Sequence, residues 1–112
     1  MEKIKTFKEY QKESIKTAIF PPGRSLEYLF LGVCGEAGEI AEKAKKVIRD
    51  KNGIMTEEDR EAMKKEIGDV LWYLSQLATE LDFDLEDIAN ENLIKLFSRL
   101  ERNKIQGNGD NR

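Results

Sequence analysis

The sequence predicts an all-α fold of four helices with short connections, and three observations lead there. The only prolines are adjacent, Pro21-Pro22 before Gly23, so the chain carries one hard break. Apolar residues recur at three- and four-residue spacing, which is the signature of helices with one buried side. No stretch shows the period-two alternation of a half-buried strand. At 112 residues the whole chain, 1–112, is expected to be a single domain.

The first helix is expected over 7–18, opened by Thr6 with Glu9 three residues on, a capping box. The second, over 26–50, is capped by Ser25 and stops at Asn52-Gly53. The third, over 57–81, follows Thr56, and Glu57, Glu58 and Asp59 suit the positive end of its dipole. The fourth, over 85–104, is capped by Asp84. The tail from Gln106 to Arg112 is polar and Gly-rich, the composition of a frayed end. Two apolar stripes are assigned to the core: Leu29, Val33, Ala37, Ile40, Ala44 and Val47, and Met63, Ile67, Val70, Leu74, Leu77 and Leu81.

Composition excludes much chemistry. Without histidine there is no Ser-His or Cys-His nucleophile pair, no imidazole base and no His-ligated zinc or iron. The lone Cys34 allows neither an intrachain disulfide nor a paired-cysteine zinc site. Asp and Glu (22) outnumber Lys and Arg (19), a charge of −3 that argues against a nucleic acid polymer as partner. No apolar run reaches the ~20 residues of a membrane span. The N-terminal MEKIKTFKEY lacks a signal peptide's apolar stretch, so a cytoplasmic protein with no membrane partner is expected. Carboxylates, lysines, arginines and a metal remain.

The carboxylates form a pattern. Glu36 and Glu39 sit one turn apart on the second helix, and Glu66 and Asp69 do the same on the third. Each pair borders its apolar stripe at about 100° per residue, so packing the helices antiparallel brings four acids toward one groove. Such acids raise one another's pKa and need a cation to stay ionised together. An all-oxygen donor set suits Mg²⁺, with Mn²⁺ as the alternative. Acid pairs at this spacing also occur at Glu39/Glu42, Glu58/Glu61 and Asp84/Asp87, and most such pairs are solvated surface. What sets the first two apart is the bordering core stripe and the adjoining glycines, Gly32, Gly35, Gly38 and Gly68. Mid-helix Gly costs up to ~1 kcal/mol relative to Ala, so close approach of a backbone or ligand is expected there.

The E-x-x-E, 26-residue spacer, E-x-x-D pattern resembles the MazG-like all-α nucleoside triphosphate pyrophosphohydrolases. So do TAIFP (17–21), GVCGEAGEIAEKAKK (from Gly32 to Lys46), KEIGDVLWYLSQLA (65–78), NLIKLFSR (92–99) and GNGDNR (107–112). The likeness covers most of the chain and is closest to the compact single-domain type, a four-helix MazG-like bundle. It implies Mg²⁺-dependent hydrolysis of an NTP or dNTP substrate to the monophosphate and pyrophosphate, cleaning the nucleotide pool. Glu36, Glu39, Glu66 and Asp69 become the metal ligands, with Glu36 as general base. A related hydrolase acting on dUTP or phosphoribosyl-ATP is the alternative within that class, and a non-catalytic helical interaction module the alternative outside it.

Cations should meet the phosphates. Lys43 and Lys46 follow Glu39 along the second helix. Asn92, Lys95 and Arg99 share one face of the fourth, and the resemblance implies phosphate or sugar contact there. Arg112 and Asp110 are placed either to close over the ligand or to serve a neighbouring subunit. Trp72 lies roughly 170° from the third helix's stripe. A lone aromatic on a polar face suits a subunit interface or a base pocket, and with the resemblance it implies a homodimer or homotetramer.

Overall fold

A computed structural model describes residues 1–21 and 23–112, so Pro22 of the expected break lies outside the described residues. Within them stand four helices and no strand: α1 (Phe7–Ile15), α2 (Ser25–Lys51), α3 (Glu57–Glu80) and α4 (Leu85–Glu101). The all-α prediction is correct, with changes at several ends.

The first helix stops three residues early. Ser14 and Thr17 turn their hydroxyls onto the carbonyls of Gln11 and Ser14, which competes with further helical bonding. The backbone tightens to i→i−3 bonds at Lys16, Thr17 and Ala18. The fourth helix ends at Glu101, not Lys104. Asn103 adopts a left-handed φ of 58°, and the N–H groups of Asn103 and Lys104 return to Leu100 and Arg99. That is a Schellman closure without glycine. Asp82 (φ 62°) closes α3 the same way, and Asn52 (φ 53°) stops α2 where expected.

Two predicted caps differ. Ser25 is the first helical residue of α2 and donates its hydroxyl to the Glu80 carboxylate, joining the start of α2 to the end of α3. At the other end Lys51 Nζ donates to both Asp59 oxygens at 2.7 and 2.8 Å, so α2 and α3 form an antiparallel hairpin. Thr56 and Asp59 complete a capping box there. Asp84 makes no side-chain cap. Gln11 of α1 replaces it: Oε1 accepts from the Leu85 N–H at 2.9 Å, while Nε2 donates to Thr79 Oγ1 and the Phe83 carbonyl at 3.0 and 2.9 Å. One carboxamide thus ties α1, α3 and α4 together. Gln11→Ala should lower stability by about 1–3 kcal/mol through these part-buried groups left unpaired. Urea denaturation that shows no change would remove Gln11 from this role.

α1 packs antiparallel on α3 through polar groups. Ser14 is buried and gives its proton to the Gln11 carbonyl, so it accepts from Gln76 Nε2 (2.8 Å) and from the Ser75 hydroxyl (3.1 Å). Trp72 Nε1 donates to Thr17 Oγ1 at 2.8 Å. The face of α3 read as outward is therefore the covered one, which corrects the reason given for placing Trp72 at a surface contact. The reverse holds for the apolar stripe. Leu29 and Val47 of α2 are buried, and Met63, Val70 and Leu77 are half-buried, but Ile67, Leu74 and Leu81 remain exposed, as do Ala37 and Ala44. α1 docks by hydroxyl and amide bonds on the opposite side of α3, so among the described residues the stripe is only partly covered, with Ile67, Leu74 and Leu81 left exposed. The radius of gyration, 17.0 Å, exceeds the ~13 Å of a compact chain this long.

Candidate metal centre

The α2/α3 hairpin carries the acids. Glu36 on α2 and Glu66 and Asp69 on α3 each offer a carboxylate oxygen, and these oxygens lie within 4.8 Å of one another. Glu36 and Glu66 are half-buried and Asp69 is exposed, so the cluster sits in an open groove. Glu39 is exposed and stands outside this convergence.

The geometry raises the pKa of Glu36 above the ordinary carboxylate range. Burial contributes most, then the charge of Asp69, then Glu66, which shares a hydrogen bond as well as its charge, and lastly Glu39. A raised folded-state pKa means that the protonated form is favoured by folding. Without a cation, the contribution of Glu36 to stability is present at acid pH and lost as pH rises through its elevated pKa. Asp59 has the opposite sign. The Lys51 ammonium and the Thr56 N–H hold it at about 2, so its contribution is lost as pH falls toward that value. The difference in melting temperature between wild type and Glu36→Gln, followed in chelator from pH 4 to 8, isolates the first effect. The variant should gain on wild type as pH rises, and parallel curves would contradict the proximity of these acids.

Tyrosines, which the acid motif does not include, border the same groove. Burial, then the Tyr28 hydroxyl, then the charges of Tyr28, Glu36 and Asp69 push the Tyr73 pKa up. Burial and Asp69 do the same for Tyr10. Tyr73 packs edge-on to Trp72, with centroids 5.0 Å apart, and Tyr28 stacks on Phe20 at 5.8 Å. Tyr73 stands four residues beyond Asp69 and seven beyond Glu66, so helical spacing alone places it on the acidic face. Gly32 makes room for it, since a Cβ there would collide with the Tyr73 ring. The expected close approach is therefore real at Gly32 only. A Cβ at Gly35, Gly38 or Gly68 would meet open space within this chain.

The cations divide. Lys43 Nζ lies 3.8 Å from Glu66 Oε1 and belongs to the rim of the cluster. Lys46 lines a cavity of about 250 Å³ at the closed end of the hairpin, together with Lys43, Lys51 and Asp59. Asn92, Lys95 and Arg99 do not join the acids. α4 touches α1 and α3 but not α2 among the described residues. Asn92 is exposed, whereas Lys95 and Arg99 are both paired to Asp110. Arg112 is spent on the carbonyls of Lys104, Ile105 and Gly109. The tail expected to fray is folded onto α4.

Three converging carboxylates without nitrogen or sulfur donors fit a hard divalent cation such as Mg²⁺ or Mn²⁺. A family model described as "MazG nucleotide pyrophosphohydrolase domain" matches residues 24–102, which include all three acids. The "Gene 37 protein" of Mycobacterium phage L5 is 48% identical over 109 residues, covering 92% of this chain and 96% of its own length. No solved structure gives a significant match.

Proposed function

Given that this chain belongs to the MazG nucleotide pyrophosphohydrolase family, we propose that it hydrolyses nucleoside or deoxynucleoside triphosphates to the monophosphate and pyrophosphate, with Mg²⁺ or Mn²⁺, and so cleans the nucleotide pool. The observation that carries this reading is the convergence of Glu36, Glu66 and Asp69 within 4.8 Å. Those three would hold the cation, and Glu39 on the same helix would turn in as a fourth ligand. When bound, the divalent ion supplies charge neutralisation for the phosphates and lowers the pKa of an attacking water.

The chain's own groups supply the rest. Glu36, the acid that α2 contributes to the cluster, would be the proton acceptor for that water. Lys43 and Lys46 line the hairpin cavity next to the acids and would draw the phosphate chain along it. Catalysis of this kind is mainly positioning and electrostatics, which suits a groove of acids flanked by lysines. The aromatic group of Phe20, Tyr28, Tyr73 and Trp72 offers ring faces for a base beside the acids.

Asn92, Lys95, Arg99 and Arg112 are proposed to contact phosphate or sugar. Among the described residues α4 does not contact α2, so we propose that a second copy brings these groups to the groove, in a homodimer or homotetramer. The support is the uncovered apolar surface: Ile67, Leu74 and Leu81 on α3, and Leu93, Phe97 and Leu100 at helical spacing on α4. Among the described residues, Leu29, Val47, Ala78 and Leu85 are the buried apolar ones, few for an isolated domain of this length.

A panel of NTPs, dNTPs (dUTP among them) and phosphoribosyl-ATP with Mg²⁺, assayed for released pyrophosphate, tests the substrate class. Turnover across several nucleoside triphosphates supports the general reading. Turnover of phosphoribosyl-ATP alone would replace it.

A further inference from the structure

The C-terminal tail is held by ion pairs and hydrogen bonds, and its grip falls on two cations. After the left-handed turn at Asn103 the chain doubles back along α4, using Gly107 and Gly109 at φ 140° and 85°. Arg112 donates to the carbonyls of Lys104, Ile105 and Gly109 at 2.9, 2.8 and 2.6 Å, and Arg102 donates to the Arg112 carbonyl at 2.9 Å. The loop so formed presents Asp110. Its carboxylate accepts from Lys95 Nζ at 2.7 Å and from Arg99 Nη2 at 3.0 Å, and its carbonyl takes a further bond from Arg99.

Arg99 is 5% exposed, and its Nε is buried with no partner. A buried guanidinium lacking one acceptor is an incomplete site, because an Arg fork is built for two parallel bonds to a carboxylate or phosphate. Asp110 satisfies only part of it, while its own side chain is 75% exposed. Residues 103–111 are all exposed, so leaving α4 would uncover little apolar surface. A phosphate group brings more charge and more acceptor oxygens than one carboxylate.

We infer that Asp110 is a built-in competitor for phosphate: the tail occupies Lys95 and Arg99 in the free protein, and an incoming phosphate displaces it, releasing residues 103–112 from α4. This rests on the proposed phosphate role of Lys95 and Arg99, and adds to it a closed state that the substrate must open. The lowered pKa of Asp110, caused first by Lys95 and then by Arg99, is consistent with a carboxylate held charged in that closed state.

Pyrophosphate in metal-free buffer is the probe, because it needs no turnover. Titration calorimetry should show Asp110→Asn binding pyrophosphate several-fold more tightly than wild type, with Asp110→Glu closer to wild type. Trypsin should then cut after Lys104 faster when pyrophosphate is added to wild type, since the Lys104 carbonyl is tied to Arg112 only while the tail is closed. Equal or weaker binding by Asp110→Asn, or cleavage unchanged by pyrophosphate, overturns the competitor role while leaving Lys95 and Arg99 as ligands. Binding to neither protein, or binding that survives the Lys95→Ala/Arg99→Ala double variant, overturns the phosphate role itself and the inference with it.

Discussion

Asp69→Asn should abolish pyrophosphate release and, in the same protein, the rise in melting temperature that Mg²⁺ or Mn²⁺ gives wild type. The substitution keeps the shape of the side chain and removes one of the three charges converging within 4.8 Å. A cation that binds only the folded state stabilises it by ~2.7 kcal/mol at a hundred times its dissociation constant, so its loss is easily read in a melting curve. Substitutions of residues that hydrogen-bond to a metal's ligands cost ~10–100-fold in metal affinity or activity, and a direct ligand should cost more. Removing the charge also relieves repulsion on Glu36, whose pKa Asp69 helps to raise. The metal-free variant should therefore melt higher than metal-free wild type while gaining nothing from metal. Near wild-type turnover in Asp69→Asn would show that the groove is not the active site.

Leu74→Asp should convert the protein to a monomer. Leu74 lies midway along the α3 stripe, 43% exposed, with Ile67 and Leu81 seven residues to either side. This repeat is the spacing of helices packed along a shared seam. Truncating a central interface residue costs about 2 kcal/mol or more, roughly thirtyfold in dissociation constant, and a charge in that seam should cost at least as much. Light scattering at micromolar concentration should give a dimer or tetramer mass for wild type and a monomer mass for the variant. Because the proposed phosphate contacts on α4 come from a second copy, turnover should fall along with the mass. A monomeric wild type would remove both the assembly and the shared site.

Much of the hairpin was legible from local chemistry. Asn52-Gly53 stops α2, and Thr56 with Asp59 starts α3, because each signal acts within one turn of its own helix. The acids were legible for the same reason, since one-turn spacing fixes a shared face wherever the helix goes. What escaped depends on which helix meets which. Asp84 looks like a cap, yet Gln11 serves α4 from 74 residues away. Ser14, Ser75 and Gln76 look like surface residues, yet they are the seam between α1 and α3. The apolar stripe of α3 was read as this chain's own core because periodicity identifies a sticky face without saying whose face covers it. Glu39 shares the motif but not the groove, and Lys95 and Arg99 share a helix face that the folded tail already holds.

In the proposed reaction the acids of the α2/α3 groove direct water to a nucleoside triphosphate so that pyrophosphate leaves. Separation of the products formed from a deoxynucleoside triphosphate with Mg²⁺ is the decisive test. Equal amounts of monophosphate and pyrophosphate, falling together in chelator and in Asp69→Asn, are the predicted result. Diphosphate with orthophosphate, or turnover that persists without metal, would contradict it.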